Sequence, residues 1–414
     1  VSISIHNDEP TNTDKLGRET FAKALTEVLS KCETPLVVGL YGSWGVGKTS
    51  LMRQIRELIA ARDGVKTVWF DAWQHQFDEE PAIALLHTMV AQLELGEGGK
   101  KLLTIIASAL GSLLLKTTTT LGTTDLQELG ERYEEERFQL REKQVRLKSY
   151  FTELIRKATN EGNHRVVFFI DDLDRCVPEQ VLKVLEALKL YLSLEDCVYV
   201  MGVDRLALEC SIRQRYRELE IREADYLDKI VQLPFSIPPI TRAAMRQFIA
   251  PMLHADLREL TDMLVAGLGE NPRQVKRFLN TLQLNHALAS SMIGHNYEPR
   301  TLAAMLLIQL RRPELFKAVV LNPSILEALS EGGDSAAPYA DLVGNDMRLM
   351  EIIPIAGFTD ISKIEKYIYL TEVVAASQSA NSGDEVMTAA TSAPKLVRFQ
   401  YRSESGPVLM LPTY

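Results

Sequence analysis

Eight residues, GSWGVGKT (42–49), constrain this chain more than any other stretch in it. They fit G-x-x-x-x-G-K-[ST], with Gly42, Gly47, Lys48 and Thr49 at the fixed positions. The pattern carries meaning only between a strand and a helix. The apolar run PLVVGLY (35–41) before it predicts a short buried strand, and SLMRQIRELIAA after it predicts a helix. In that setting the glycines let the backbone curl, so that successive N–H groups point into one concavity. The helix N-terminus adds partial positive charge to it. Gly42, Ser43, Trp44, Gly45, Val46, Gly47, Lys48, Thr49 and Ser50 are therefore the candidate phosphate-binding residues. Lys48 is suited to the terminal phosphates of a nucleotide, and Thr49 to a bound Mg²⁺.

A second stretch, RVVFFIDDLDRC (165–176), calls for a cation. Its apolar residues from Val166 to Ile170 predict a strand buried on both faces. Adjacent carboxylates at the end of such a strand are costly to desolvate without positive charge nearby. The Mg²⁺ implied by Thr49 supplies it. Asp171 is expected to share that ion, and Asp172 to orient or deprotonate an attacking water. Asp174 is read as a cap for the helix after Pro178, or as an interface residue.

Strand-like runs recur at KTVWFDAW (66–73), CVYVMGV (197–203) and KIVQLPFSIPP, each followed or preceded by a helical pattern. Alternation of this kind predicts a parallel sheet with right-handed crossovers, and ligands at the carboxyl ends of its strands. A helix from near Asp14 is expected to bury Leu16, Phe21, Leu25 and Val28, and EGGDSAAP (331–338) is expected to be a loop. The fold class is α/β: a parallel-sheet nucleotide-binding core (1–73 and 164–240), a helical insert (74–163), a helical lid subdomain (241–330) and a C-terminal region of unassigned role (331–414).

The chain has 414 residues, a formal net charge of -9 and 46% hydrophobic residues. That length allows two or three domains. The negative balance disfavours broad nucleic-acid or acidic-membrane binding, and no clear nucleic-acid patch is seen. The four cysteines form no C-x-x-C pair, which fits a reduced, cytoplasmic protein. The apolar run LLTIIASALGSLLL (102–115) is about 14 residues long. A bilayer needs roughly 20, so a membrane span is not expected. QELGERYEEERFQLREKQVRLKSYFTELIRKA (127–158) predicts a long charged helix with a narrow seam of Leu140, Leu147, Phe151 and Leu154. No histidine stands at metal-ligand spacing from another. Trp73 and His75 stand after a central strand, where aromatics are more often core than residues bordering the nucleotide. LSEGGD (329–334) reads as a glycine stop after a helix rather than a phosphate-contacting signature.

GSWGVGKTS, FDAWQHQ, FFIDDLDRCVPEQVLKVLEALK, VYVMGVDRLAL, YLDKIVQLPFSIPP and NPRQVKRFLN occur in that order. With them, the chain resembles the KAP-family P-loop NTPases over roughly residues 12–290. The resemblance implies an additional-strand ATPase related to AAA+ and STAND switches, with KTVWF inserted between the strands bearing Lys48 and Asp171. It implies ATP and Mg²⁺ as ligands, a homo-oligomer with a protein partner or effector, and a place in bacterial anti-phage defence. No Asn-Lys-x-Asp segment marks the chain as GTP-specific. The family pattern assigns Asp204 to a sensor of the γ-phosphate and Arg273 to a sensor arginine from the helical subdomain. It offers Arg205 or Arg175 as an arginine finger. Many family members carry two membrane helices between the phosphate-site motifs, which this chain is not expected to have. The alternatives are a non-catalytic ATP-bound scaffold and a membrane-associated signalling NTPase.

Overall fold

Five parallel strands form one sheet in the order β2-β3-β4-β1-β5. They are β1 (Leu36–Tyr41), β2 (Val65–Asp71), β3 (Arg165–Asp171), β4 (Cys197–Val203) and β5 (Leu233–Ser236). The computed structural model describes residues 5–78, 81–93, 145, 148–160, 162, 164–191, 194–216, 223–294, 297–358 and 364–371.

β3 and β4 are central because their sequences tolerate burial on both faces. All seven residues of β4 are buried, as are six of seven in β3. Side chains alternate across the sheet with a period of two. Val166, Phe168 and Ile170 join one apolar layer, with helices α3 (Pro81–Gln92) and α4 (Pro178–Tyr191). Val167 and Phe169 join the opposite layer, against α1 (Glu19–Lys31) and α2 (Lys48–Ala60).

KTVWF does not lie between the strands bearing Lys48 and Asp171. It belongs to β2, at the sheet edge beyond β3, and CVYVMGV (β4) occupies the position between β1 and β3. Composition explains the exchange. β2 carries Lys66 and Thr67 and is mostly half-buried, which an edge tolerates and a centre does not. β5 forms the other edge, where Pro234 lacks an N–H to give.

α1 also departs from expectation. It starts at Glu19, and its buried face is Ala22, Leu25, Thr26 and Leu29, whereas Phe21 and Val28 are 39% and 41% exposed. Asp14 stands outside the helix and accepts the N–H groups of Leu16 and Glu19 at 2.9 and 2.7 Å. The helix is thereby entered about one residue out of phase, and each residue turns the face by ~100°.

After β5 the chain passes through Ile237-Pro238-Pro239-Ile240 into a helical unit. Its apolar cluster runs from Ile240 to Leu370 and draws on α6 (Arg242–Ile249), α7 (Pro272–Met292), α8 (Pro299–Arg311) and α9 (Met347–Ile352). Residues between 343 and 358 and between 364 and 370 share this core; Phe358 and Tyr367 are fully buried in it. The segment 331–338 is not a loop throughout: Gly333–Ala336 and Ala337–Tyr339 form short helical turns. Pro338 is tolerated there because it sits in a first turn, where its missing N–H has no partner to lose. The helix before them stops at Glu331, with Gly332 at φ 73°, as a glycine stop requires.

Among the described residues no helix is long and apolar enough to cross a membrane. The run 102–115 lies outside them, as do Leu140 and Leu147. The described part of the charged helix, residues 148–158, buries Phe151 and Leu154 against the α3 layer.

Candidate nucleotide-binding site

The loop between β1 and α2 owes its shape to two glycines with positive φ, Gly45 at 81° and Gly47 at 99°. Its surroundings leave no room for more. A Cβ on Gly45 would meet Asn271 Oδ1 at 2.5 Å and the Arg273 Cβ at 2.8 Å. A Cβ on Gly47 would meet Arg18 Nη1 at 3.2 Å. The loop is gripped from two sides. Asn271 Nδ2 donates to the Trp44 carbonyl at 2.7 Å from the helical unit. Buried Arg18 donates to the carbonyls of Val46 and Pro238 at 2.5 and 3.0 Å.

Lys48 opens α2, and its ammonium turns back under the loop. Nζ donates to the Gly42 carbonyl at 2.9 Å and lies 3.2 Å from Asp174 Oδ2. The Asp174 side chain is 1% exposed. The same oxygen accepts the Asp204 backbone N–H at 2.7 Å and Trp44 Nε1–H at 3.0 Å. Asp174 therefore ties the phosphate-loop lysine to the ends of β3 and β4. It does not cap α4.

Asp171 ends β3 and is 3% exposed. Burial, then the adjacent Asp172 charge, pushes its carboxyl up to about 6, against the Thr49 hydroxyl that hydrogen-bonds it. Its Oδ1 is buried and has no hydrogen-bond partner. Asp71 stands in register beside it on β2. An orphaned carboxylate oxygen next to a hydroxyl and further carboxylates is the donor set a hard divalent cation takes. The residues present fit Mg²⁺.

Asp172 has φ 55°, which turns it out of the strand direction. Its Oδ1 is 2.9 Å from Arg175 Nε, and burial raises its pKa while Arg175 opposes the rise.

Lys48, Thr49, Asp172 and Asp174 face one cleft open to solvent; Asp171 is not among the residues that line it. Its walls come from three parts of the chain. The core gives Lys48, Thr49, Asp172 and Asp174; the helical unit gives Arg273 and Lys276. The N-terminal segment gives residues 8–11 and 13–16 together with Arg18.

A family model, the KAP family P-loop domain, matches residues 18–289. The chain belongs to this family. Among curated proteins none matches it. Solved structures with a similar course are remote from this KAP domain. The Aeropyrum pernix ORC1 protein in complex with DNA is 16% identical, with 88% of this chain and 85% of that chain covered and a TM-score of 0.38. The A. pernix ORC2 protein, in ADPNP–ADP complexes, is 12% identical over 87% and 95%, with a TM-score of 0.37. The Walker-type ATPase PABY2304 of Pyrococcus abyssi is 13% identical over 87% and 98%, with a TM-score of 0.33.

In this KAP domain the remaining sequence candidates divide. Arg273 lies on the cleft wall, 3.9 Å from Asp8 Oδ2. The Asp204 carboxylate caps its own helix, α5 (Arg205–Arg215), accepting from Leu206 N at 3.0 Å, and only its backbone reaches Asp174. Arg205 pairs with Glu209 at 2.7 Å and covers the Tyr41 ring. Arg175 covers the Trp73 ring while holding Asp172. Trp73 is 46% exposed, so it is not core; His75 stacks on buried Phe70. Ser50 anchors the N-terminal segment, its Oγ accepting from Thr11 N at 3.2 Å.

Sequence reasoning missed Arg18, Lys276 and the part played by Asp174 and Asn271. Asn271 carried a readable signal, because Asn-Pro marks a helix start. It does cap α7, accepting from Arg273 N and Gln274 N, and its amide nitrogen grips the loop besides. Arg18 had no signal, since its partners are backbone carbonyls remote in sequence.

Proposed function

We propose that this P-loop NTPase binds ATP with Mg²⁺ and hydrolyses it in the cleft between sheet and helical unit. The observation that carries the reading is the convergence of Lys48, Thr49, Asp171 and Asp172 at one end of the parallel sheet. In this reading the Lys48 ammonium meets the terminal phosphates, and the loop N–H groups from Gly42 to Thr49 cradle them. Thr49 and Asp171 hold the metal ion; bound there, Mg²⁺ supplies charge neutralisation for the phosphates. Asp172 accepts the proton of the attacking water, and its raised pKa brings it closer to the working pH of a general base. Arg273 brings a charge from the helical unit to the same cleft. Asp204 acts on the nucleotide less directly, through its N–H on Asp174.

The test is calorimetric titration of Lys48→Ala with ATP–Mg²⁺. The variant is expected to fold and to lose binding. Lys48→Ala combined with Asp174→Asn controls for the carboxylate left unpaired. Unchanged affinity would overturn the phosphate-site assignment. Tight binding with no phosphate release by the wild-type protein would favour the ATP-bound scaffold.

The same reading extends to a switch. The loop is gripped by Asn271 from the helical unit, so occupancy of the loop bears on how that unit sits. Assembly into oligomers with a protein effector, and service in anti-phage defence, follow from the family resemblance. Mass photometry with and without ATP–Mg²⁺ tests the assembly.

A further inference from the structure

Away from the cleft, the helical unit brings together His254, Asp256 and His286, each offering one ligand atom, all within 4.8 Å of one another. Among the described residues it is the one group of three His, Cys, Asp or Glu side chains that converges in this way. His254 and Asp256 lie at the start of the short helical turn Ala255–Leu260, and His286 lies in α7. The sequence separates the two histidines by 32 positions, so no local spacing betrays the pair.

The chemistry of the three groups is unbalanced as they stand. His286 is 4% exposed, and its Nε2 is buried with no hydrogen-bond partner. Its Nδ1 lies 2.9 Å from the Tyr297 hydroxyl. With Nδ1–H donating to that oxygen, Nε2 presents a lone pair. It faces Asp256 Oδ2 at 3.9 Å. His254 Nδ1 is 3.4 Å from the same oxygen; its one lone pair accepts the Asp256 backbone N–H at 3.4 Å, a long bond that a bound ion would replace. Two imidazole nitrogens and a carboxylate oxygen thus lie within 4.8 Å of one another. Acceptors repel one another there unless a cation separates them.

We propose that His254, Asp256 and His286 form a binding site for a divalent transition-metal ion of the zinc type. Two imidazoles and one carboxylate are a set that suits zinc, with water completing four-coordination. Zinc–ligand bonds of about 2.0–2.1 Å place tetrahedral ligand atoms roughly 3.3 Å apart. The present spacings of 3.4 and 3.9 Å reach that by small side-chain rotations. The Tyr297 hydroxyl on Nδ1 orients the ring, and in accepting from Nδ1–H it leaves Nε2 as the ligating atom, as partners behind ligating histidines do. Asp256, at 65% side-chain exposure, leaves a path for the ion from solvent. The ion would clip the 254–260 turn onto α7, whose first turn carries Arg273 into the nucleotide cleft.

The test uses the full-length protein, stripped with chelator and titrated with ZnCl₂ by calorimetry, then with Co²⁺ by visible absorption. His254→Ala/Asp256→Asn changes only the more exposed ligands and leaves the buried His286 in place, so it is expected to fold. The wild-type protein is expected to bind one Zn²⁺ per chain more than this double variant and to show a Co²⁺ ligand-field band that the variant lacks. Zn²⁺ is expected to raise the wild-type melting temperature and not that of the variant. Tyr297→Phe is expected to weaken Zn²⁺ binding by ~10-fold, the lower end for loss of a partner behind a ligand. Equal zinc uptake by wild type and double variant, or no uptake by either, would overturn the site.

Discussion

Asp174 is the residue whose role changes most between sequence and structure. It is a buried carboxylate with three partners on one oxygen: the Lys48 ammonium, the Asp204 N–H and the Trp44 indole. Breaking one side of a buried ion pair leaves the other charge without compensation, at a cost of roughly 3–5 kcal/mol. Asp174→Asn keeps the shape and one acceptor, so a loss nearer ~2 kcal/mol is expected in urea unfolding. A loss under a few tenths would show the pair to be incidental. Asp172 is expected to behave differently, since among the described residues its ion-pair partner is Arg175, whose side chain is 34% exposed. Asp172→Asn is expected to bind ATP normally and hydrolyse it ~100-fold more slowly, the scale of losing a general base. Single-turnover kinetics at the wild-type rate would end the base assignment.

At the scale of elements, Asp346 shows how one carboxylate can hold two helices. It caps α9, accepting from Arg348 N and Leu349 N, and receives the Arg311 fork from the end of α8 at 2.9 and 3.0 Å. Burial acts to raise its pKa, but the Arg311 fork and the two N–H groups outweigh it and hold the carboxyl below its usual range. A depressed pKa means that the folded state binds fewer protons than the unfolded state as the carboxyl titrates. The stability it confers is therefore present above the ordinary aspartate pKa and is lost as the pH falls through the folded value. Asp346→Ala is expected to cost ~1–2 kcal/mol at pH 7, the scale of a lost cap. The difference from wild type should close below about pH 4, as the unfolded aspartate titrates. A pH-independent difference would assign the effect to packing. Elements differ in how far the sequence reveals them, for the same reason that this pair was hidden. The phosphate loop and β3 were legible because motif and apolar run are local. β4 was legible as a strand, but its place between β1 and β3 was not, because strand order is decided by which run tolerates two buried faces. The phase of α1 was missed because Asp14 caps it from outside the helix. The carboxylates at 171 and 172 were legible as a pair closing a buried strand; the grip of Arg18 and Asn271 on the loop was not, because backbone carbonyls leave no pattern in side chains.

On the scale of the whole molecule, the N-terminal segment is a clasp over the cleft. His6 and Asn280 exchange two hydrogen bonds of 2.8 Å, Lys276 donates to the Asn7 carbonyl, and Thr11 is held by Ser50. The clasp therefore spans the helical unit and the core. Asn280→Ala removes both His6 bonds from the α7 side. It is expected to raise amide exchange over residues 5–11 by ~30-fold, since two bonds of about 1 kcal/mol each are lost. Unchanged exchange would mean that the contacts left in place, among them His6 Nε2 on the Met252 carbonyl and Lys276 on the Asn7 carbonyl, hold the clasp without Asn280. The two-proline connection after β5 gives this arrangement a mechanical consequence. Ile237 N donates to the Tyr41 carbonyl at 2.8 Å, so the start of the connection is bonded to the last residue before the phosphate loop. Input and pivot are thus one strand spacing apart, ~4.8 Å. Pro238 and Pro239 fix their φ angles, which removes slack from the pivot. The output arm is the whole helical unit. In the proposed switch, so short an input and so stiff a fulcrum are expected to turn small shifts of the loop into rotation of the distant end, with gain rather than loss.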